Sequence, residues 1–289
     1  NDAHTLQWDM SVVGDRRSSV LGHVASGCLF LDPARRLCSG DRLNVIWGQQ
    51  LLRDKSQLQG GAVTASSAFD INDEGYVVPV GAGNTWRDGK TKKLWGTTVS
   101  IAGQQYPWGL PILQKDSLGG QTSQPVVNGN PALQYGFQNT VRYKALRLYG
   151  LLNGQFGGQV FNQGKHYLYL VCDHPDVSQS GKADEARKPV TYYRALAIST
   201  GYYLPNFVES ATYARLSEAS IGYVFDANRL GFLKHTGAKR LEIDLIARNL
   251  FTLTRYTGQN PQSPSFTLPV DAFRYPLSRT FTLATSLIF

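Results

Sequence analysis

The oxygen-bearing side chains of the segment 70–75, which reads Asp-Ile-Asn-Asp-Glu-Gly, have the spacing most like that of a chemical site. Oxygen ligands at the first, third and fifth positions and glycine at the sixth are how an EF-hand calcium loop begins. That loop has a bidentate glutamate at its twelfth position, where this chain has Gly81. We therefore expect no metal here and interpret the segment as a polar turn that leads into Tyr76.

The histidines and serines do not have the spacing of a catalytic motif. The five histidines form no HExxH pair, and no serine lies in a G-x-S-x-G nucleophile elbow. Asp173, His174 and Asp176 are neighbours in the chain, but the stretch around them is polar and solvated side chains are common there. We predict that the chain is not an enzyme and needs no cofactor. A carboxylate pair that is assembled only by the fold stays open at this stage.

Aromatic residues are concentrated in a long stretch that is otherwise rich in glycine, asparagine and threonine: Trp86, Trp95, Tyr106 and Trp108. Aromatic rings beside polar groups can stack on sugar rings or pack against a partner protein. The same residues would also suit the core of a long loop, or an aromatic belt at a lipid interface. We predict the four as candidate ligand or partner contacts and keep loop core and belt as alternatives.

The three cysteines, Cys28, Cys38 and Cys172, fit no zinc-binding spacing. Cys28 and Cys38 could close a small disulfide loop in an oxidising compartment, which would leave Cys172 free. The net charge is +8 and the pI about 9.4, which suits nucleic acid or an acidic surface such as lipopolysaccharide. Because the basic residues form no long block, we interpret them as scattered solvated charge and predict no nucleic-acid partner.

The composition indicates an all-β protein. Charged residues make up only 17% of the chain, whereas tyrosine (15), phenylalanine (13) and glycine (29) are plentiful, which favours strands and turns. No run of about 18 apolar residues exists, so a helical membrane span is excluded. Strands that cross a bilayer alternate in polarity and are compatible with this composition.

Alternation with a period of two predicts the strands. In the last ten residues, Phe281, Leu283, Leu287 and Phe289 share one face, and the other face is smaller and mostly more polar. Ten alternating residues suit a strand that crosses a bilayer at a tilt. Seven strands are predicted in all, the second of them the weakest: 6–12, 44–52, 133–144, 146–156, 213–225, 240–250 and 280–289.

The side chains of the strand 213–225 are predicted to divide between two faces in the same way. Tyr213, Ala219, Ile221, Tyr223 and Phe225 are expected on its apolar face. The strand 240–250 alternates aliphatic residues with four charged ones, which suggests a lipid face and a wet lumen.

The connections between these strands alternate between short and long, as in outer-membrane barrels, where turns are short at one end and loops long at the other. The segment 14–40 is the exception, because it should be short and is long. Seven is an odd number, whereas bacterial single-chain barrels have an even number, and open edges in lipid are costly. We therefore expect an incomplete barrel whose missing strands precede Asn1.

Several motifs in this order resemble SusC/RagA-type TonB-linked outer-membrane proteins. Residues 207–216 read FVESATYARL and continue to IGY at 221–223, which is similar to the family's FVEDGSYLRL…LGY. Residues 248–252 read RNLFT, followed by YTG at 256–258 and NP at 260–261, similar to GQNLFT…YTGxDPE. YGLL at 149–152, GGQVFN at 157–162 and the ending on Phe289 are also similar. The motifs cover roughly 133–289, and more loosely the chain from Trp8.

The resemblance implies that residues 1–289 are the C-terminal part of a plugged barrel of about 22 strands. It also implies a bacterial outer-membrane location, a SusD-like surface lipoprotein as partner and energy from the TonB complex. The imported substrate would be an oligosaccharide or a peptide, and Phe289 would be the barrel-assembly signal. The chain departs from the family at Arg248, and at Gln259 and Gln262, where acidic residues are common. No plug or TonB box is recognisable in this stretch. The alternative function is a secreted all-β module that binds polysaccharide through its tryptophan loop.

Overall fold

The structure is a computed structural model. It describes residues 6–32, 35–116, 120, 122–198, 205–226, 230–231, 237–262, 268–273 and 275–289. Its strands, in chain order, are β1 (Leu6–Asp15), β2 (Cys28–Asp32), β3 (Arg35–Cys38), β4 (Val45–Gly48), β5 (Phe69–Ile71), β6 (Val77–Pro79), β7 (Thr98–Ile101), β8 (Gln104–Pro107), β9 (Gln124–Asn128), β10 (Leu133–Tyr143), β11 (Leu146–Phe156), β12 (Gln159–Asn162), β13 (Val208–Ser210), β14 (Tyr213–Asp226), β15 (Arg240–Thr254), β16 (Val270–Asp271) and β17 (Thr280–Ile288).

The helices are short. The α-helices are α1 (Gly61–Thr64), α2 (Asp88–Thr91), α3 (Gln163–Leu170) and α4 (Val190–Ala197). Single 3₁₀ turns lie at Lys55–Gln57, Ser66–Ala68, Pro175–Val177, Asp184–Ala186 and Pro205–Phe207. Across the described ranges, no helix has the length and apolar character needed to cross a membrane.

Six long strands form one antiparallel sheet, which we call the wall, in the order β1-β10-β11-β14-β15-β17. They match six of the seven predicted strands. The prediction that 44–52 is a wall strand is wrong, because β4 has four residues and pairs with β9 in a small separate sheet. Its alternation reflects burial inside a folded loop, where Ile46 is fully buried.

The six wall strands divide the rest of the chain into connections of two kinds. Three are long, and we call them L1 (16–132), L2 (157–212) and L3 (255–279). Lys144 and Ala145 alone join β10 to β11, and the segment 227–239 joins β14 to β15. Since 44–52 belongs to L1, the apparent exception at 14–40 disappears. The wall has six strands, so the prediction of missing strands from an odd strand count no longer applies.

One face of the wall is apolar from edge to edge. A single row of cross-strand partners runs over all six strands, and every member is apolar: Trp8, Val141, Leu148, Ile221, Leu245 and Leu283. Trp8 is 65% exposed and Leu283 68%, although large apolar side chains of soluble sheets are normally covered. Large apolar side chains of this face are therefore left uncovered by the described residues.

The opposite face of the wall carries paired charges. Arg147 of β11 reaches across β14 to β15, where it donates to Asp244 Oδ1 at 2.8 Å and lies 3.0 Å from Glu242. It passes over Gly222, where a Cβ atom would collide with the Asp244 carboxylate. The wall therefore has one apolar face and one polar face with paired charges.

A β-bulge at Ser217 corrects the predicted face of Tyr213. Leu151 pairs with Glu218 and Leu152 with Leu216, so Ser217 has no partner on β11 and the alternation of β14 shifts by one. Beyond the bulge, Tyr213 and Arg215 lie on the polar face. The prediction that Tyr213 shares the apolar face with Ile221 is wrong for this reason.

The three long connections fold together into one assembly, which we call the loop cap. A shared core joins L1 residues such as Ile46 and Val127 to Tyr192 and Phe207 of L2 and to Val270 of L3. In addition, β12 pairs antiparallel with β13 and parallel with β16, so a small sheet joins L2 to L3. The cap therefore has its own hydrophobic core, apart from the apolar face of the wall.

Candidate functional site in the loop cap

The four predicted aromatic contacts lie mostly inside the cap. Trp86 is 7% and Trp108 2% exposed, and the Trp108 indole N–H donates to the Val80 carbonyl at 2.8 Å. Trp95 is half-buried and meets Trp108 edge-to-face at 5.0 Å between ring centroids. Tyr106, also half-buried, meets Phe69 at 5.6 Å. These positions match the loop-core alternative, and ligand or partner contact stays a prediction.

Two glycines let Trp95 sit where it does. A Cβ atom on Gly89 or Gly109 would overlap the Trp95 ring, and Gly109 also has a positive φ of 72°. Trp95 then extends to Tyr192 of L2, at 6.0 Å between centroids. The aromatic residues of L1 thereby help to hold L2 in place.

The calcium-like turn of L1 binds an internal cation, the ammonium group of Lys188 from L2. Lys188 Nζ donates to Asp73 and, at 2.7 Å, to Glu74 Oε1, and the Lys188 side chain is only 2% exposed. It also lies over the Tyr192 ring, 4.8 Å from its centroid. Asn72 Oδ1 accepts from the backbone N–H groups of Glu74 and Tyr76, which closes the turn as predicted. The oxygen ligands that calcium would need are therefore already engaged.

Tyr192 connects this turn to the core of the cap. Its hydroxyl donates to Glu74 Oε2 at 3.1 Å and accepts from Asn72 Nδ2 at 2.7 Å. Burial, reinforced by the Glu74 carboxylate, raises the pKa of the Tyr192 phenol far above its ordinary value. Tyr192 is therefore a neutral donor at any physiological pH.

Of Asp173, His174 and Asp176, His174 caps the 3₁₀ turn Pro175–Val177, in which Asp176 lies. The Asp176 backbone N–H donates to His174 Nδ1 at 3.2 Å, and the Tyr169 hydroxyl donates to the Asp176 carboxylate. Burial lowers the pKa of His174, and Lys165 contributes in the same direction, while Asp176 opposes it. Within the ranges that the structure describes, no group of three or more His, Cys, Asp and Glu residues is arranged to hold a metal.

The motif residues of the FVES and YTG segments lock L2 to L3. Glu209 accepts from Thr257 N at 2.7 Å, from Thr257 Oγ1 at 2.7 Å, and from Asn162 Nδ2 at 3.2 Å. Tyr256 donates to Asp271 Oδ2 at 2.8 Å, and burial raises the pKa of Tyr256 well above its usual range. From the sequence, these motifs indicated only a family resemblance, and their role in joining L2 to L3 was not predicted. The spacing of the motifs was the only signal of that role in the sequence.

Arg215 fastens L3 to the polar face of the wall. Its Nε donates to Thr252 Oγ1 at 3.0 Å, Nη1 to Gln262 Oε1 at 3.2 Å and Nη2 to Asn260 Oδ1 at 2.9 Å. The guanidinium also lies 4.9 Å from the centroid of the Tyr213 ring. Gln262, one of the departures from the family pattern, thus supplies a neutral acceptor to a buried cation.

A cavity of about 530 Å³ opens between L1 and L2, beside Tyr76, Tyr169, Asp176 and Lys182. Its polar groups largely bind one another, as when Lys182 Nζ donates to the Tyr193 hydroxyl at 3.3 Å.

Elsewhere in L1, a disulfide joins Cys28 to Cys38 across the β2–β3 hairpin and leaves Cys172 as a free thiol. The sequence had left this pairing open as one alternative.

The predicted assembly signal, Phe289, follows the last residue of β17 and is 67% exposed. Its side chain is free for contact with another protein or with lipid, and its role in assembly stays a prediction.

No family model matches the chain. In sequence it is similar to two TonB-dependent receptors of Formosa agariphila. It is 25% identical to receptor P3 over 66% of this chain and 20% of that protein. It is 26% identical to receptor P39 over 52% of this chain and 15% of that protein. The chain thus spans about a fifth or less of the length of these relatives.

Among solved structures, the fold matches part of a much larger transport protein. The RagAB peptide transporter aligns with a TM-score of 0.56 and 13% identity, over 98% of this chain and 27% of that one. The RagAB peptide importer in its 'open-open' state aligns with a TM-score of 0.52. The predicted resemblance to TonB-linked outer-membrane receptors of the SusC/RagA type is therefore confirmed, for part of such a protein.

Proposed function

We propose that this chain forms the C-terminal part of the barrel wall and three outer loops of a TonB-dependent importer in the bacterial outer membrane. The apolar row from Trp8 to Leu283 is the observation that carries the proposal. A soluble binding module would leave that row in water at a large cost in free energy. A barrel wall buries it in lipid and turns the charged face toward a wet lumen.

The proposed cargo is a large nutrient, either an oligosaccharide or a peptide, and the proposed partners are a SusD-like lipoprotein and the TonB complex. The family motifs and the similarity to a peptide transporter support this assignment. Trp95 and Tyr106 are the candidate contacts with the most exposed surface. The more deeply buried Trp86 and Trp108 would act by holding those two in position.

Membrane fractionation combined with uptake tests the proposal. The whole receptor is expected in the outer-membrane fraction, and deletion of its gene should abolish growth on either an oligosaccharide or a peptide as sole nutrient. A protein released to the medium without detergent, and a deletion strain that grows normally on both, would favour the secreted polysaccharide-binding module instead.

A matched pair of substitutions tests the orientation of the wall. Leu245→Arg places a charge in the apolar row and should cost about 2–4 kcal/mol if that row faces the bilayer midplane. Ser220→Arg introduces the same charge on the opposite, polar face of the wall, next in sequence to Ile221 of the apolar row. This variant should assemble normally. Assembly is measured by the shift in electrophoretic mobility on heating. Equal assembly of both variants would argue against a lipid-facing row.

A further inference from the structure

Arg215 is a cation that the fold buries without a carboxylate beside it. The residue is only 6% exposed, and within the described ranges no ion pair joins it to an aspartate or glutamate. By contrast, Arg147 on the same face of the wall lies against two carboxylates. A buried charge is normally paired, because its transfer from water is costly.

The acceptors of Arg215 are neutral, and two of the three belong to a short segment of L3, residues 256–262, which we call the tether. Carboxamide oxygens of Asn260 and Gln262 accept from the two terminal nitrogens, and Thr252 accepts from Nε. Three of the five N–H donors of the guanidinium therefore have acceptors among the described residues. The planar fork of the guanidinium, which normally binds a carboxylate or phosphate, therefore binds two amide groups here.

The tether is held in place by contacts that do not depend on Arg215. Asn260 Oδ1 accepts from Gln262 N at 3.1 Å, and Asn260 N donates to Asp271 Oδ2. These contacts do not involve Arg215. Thr257 also stays bound to Glu209 of L2. Release of the Asn260 and Gln262 side chains would therefore expose the guanidinium on the polar face without unfolding the anchored part of the segment.

We propose that Arg215 is a covered anion-binding site, which takes a carboxylate or other oxyanion group of an imported ligand in exchange for the neutral tether. A carboxylate binds the fork through charge-assisted bonds roughly twice as strong as neutral ones, so it competes with the amides of Asn260 and Gln262. Ligand binding then shifts residues 260–262 of the tether toward a lifted state by the difference between the ligand's affinities for the two states. The inference rests on the proposed function, since the ligand arrives along the lumen.

Two substitutions isolate the site. Gln262→Glu supplies a carboxylate from the tether itself, so it should occupy the site permanently. Arg215→Lys keeps the positive charge but removes the planar fork. Arg142→Lys is the matched control, because Arg142 is a wall arginine that already pairs with a carboxylate, that of Asp9, at 3.1 Å.

Hydrogen exchange of the segment 256–262, followed by mass spectrometry on the whole receptor in detergent, measures tether lifting. The probes are tetra-aspartate and its amide counterpart, tetra-asparagine. Exchange should accelerate by about fivefold with tetra-aspartate and stay unchanged with tetra-asparagine. The acceleration should vanish in Gln262→Glu and Arg215→Lys and persist in Arg142→Lys.

Equal responses to the two peptides, no response in the wild-type receptor, or a full response in Gln262→Glu would each overturn the anion site. Gln262→Glu decides the matter alone if Arg215→Lys fails to assemble. These outcomes are distinct from failure of the proposed function. A receptor that imports its nutrient but shows no response to the anionic peptide would overturn only the proposed anion site. A gene deletion without a growth defect would remove the function itself.

Discussion

At the scale of single residues, two lysines form salt bridges between L1 and L2 and differ strongly in burial. The Lys188 side chain is 2% exposed and binds Asp73 and Glu74, whereas Lys90 is 42% exposed and binds Asp184 at 2.6 Å. The ammonium group of Lys188 is shielded from water and depends on its partners, and the charge of these carboxylates, which are 46% and 34% exposed, is in turn neutralised by Lys188. The exposed pair can be replaced by water at little cost.

Lys188→Met should therefore destabilise the loop cap by about 2 kcal/mol, because it leaves two carboxylates facing each other without their cation. Lys90→Met, the matched control, should cost about 0.5 kcal/mol or less. The measurement is hydrogen-exchange protection of β5 and β6, which flank the acidic turn. Equal effects of both substitutions would show that burial of Lys188 has no energetic importance.

His174 gives L2 a dependence on pH. Its pKa in the folded state lies below the ordinary value because of burial, so the unfolded state binds the proton more readily. The stabilising contribution is complete above the unfolded pKa of about 6.5 and is lost as the pH falls through the lower folded pKa. Protonation also removes Nδ1 as the acceptor for Asp176 N.

Protection of the Pro175–Val177 turn should therefore decrease between about pH 7 and pH 5. His174→Gln should make this profile flat, while His23→Gln, in the exposed part of L1, should leave it unchanged. Hydrogen exchange corrected for its intrinsic pH dependence measures the effect. A wild-type profile as flat as that of His174→Gln would contradict the assignment.

At the scale of elements, the wall holds its charge pairs through one missing side chain. Arg147 reaches Asp244 only because Gly222 leaves space between them on β14. Gly222→Ala should displace Arg147 and leave Asp244 and Glu242 with uncompensated charge on the polar face.

We expect Gly222→Ala to destabilise the wall by about 1–3 kcal/mol, the cost of leaving a largely buried acceptor without its donor. Gly150→Ala is the matched control, since it lies on the neighbouring strand with no atom within 4 Å of the added Cβ. Thermal unfolding of the assembled receptor compares the two. Destabilisation by Gly150→Ala of the same size would assign the effect to strand propensity and not to Arg147.

The wall strands were predictable from sequence because their alternation is local and long. The 213–225 strand was placed correctly, but its bulge was not, since Ser217 has no local signal and the shift is defined by pairing with β11. Opposite the bulge, Asn249 adopts a left-handed φ of 53°, which asparagine tolerates well. The Asn of the RNLFT motif thus has a structural role that recognition of the motif alone did not reveal.

The site was predictable only in part, because burial within a loop depends on partners far away in the sequence. Trp86 and Trp108 have the composition of an exposed binding loop, yet L2 residues such as Tyr192 enclose that region. Lys188 gave no signal at all, since its acidic partners lie more than a hundred positions upstream. The acidic segment itself was correctly interpreted as a turn.

At the scale of the whole molecule, the wall and the loop cap are two bodies of different kinds. The cap has a core of its own that all three long connections share, with Phe207 fully buried at its centre. Phe207 contacts the rings of Phe161, His166 and Tyr169 at 5.0 to 6.1 Å between centroids. The loops should therefore gain and lose structure together.

Phe207→Ala should destabilise the cap by about 3–5 kcal/mol and reduce exchange protection of β4 in L1 and β16 in L3 as well as in L2. Protection of the wall strands should not change. Tyr275→Ala, at a residue that is 98% exposed, is the control. Loss of protection confined to L2 would show that the three loops fold independently.

The two-residue connection between β10 and β11 has a consequence for the order in which the wall is assembled. Closing a loop costs more entropy as the loop lengthens, so pairs of strands joined by few residues meet first. The β10–β11 hairpin, joined by Lys144 and Ala145, can form as soon as both strands exist. The neighbouring β1 must await the return of the whole of L1, even though its register with β10 is nearly as long. We therefore expect the wall to grow outward from this hairpin, with the structured loops acting as preformed spacers that bring distant strands within reach.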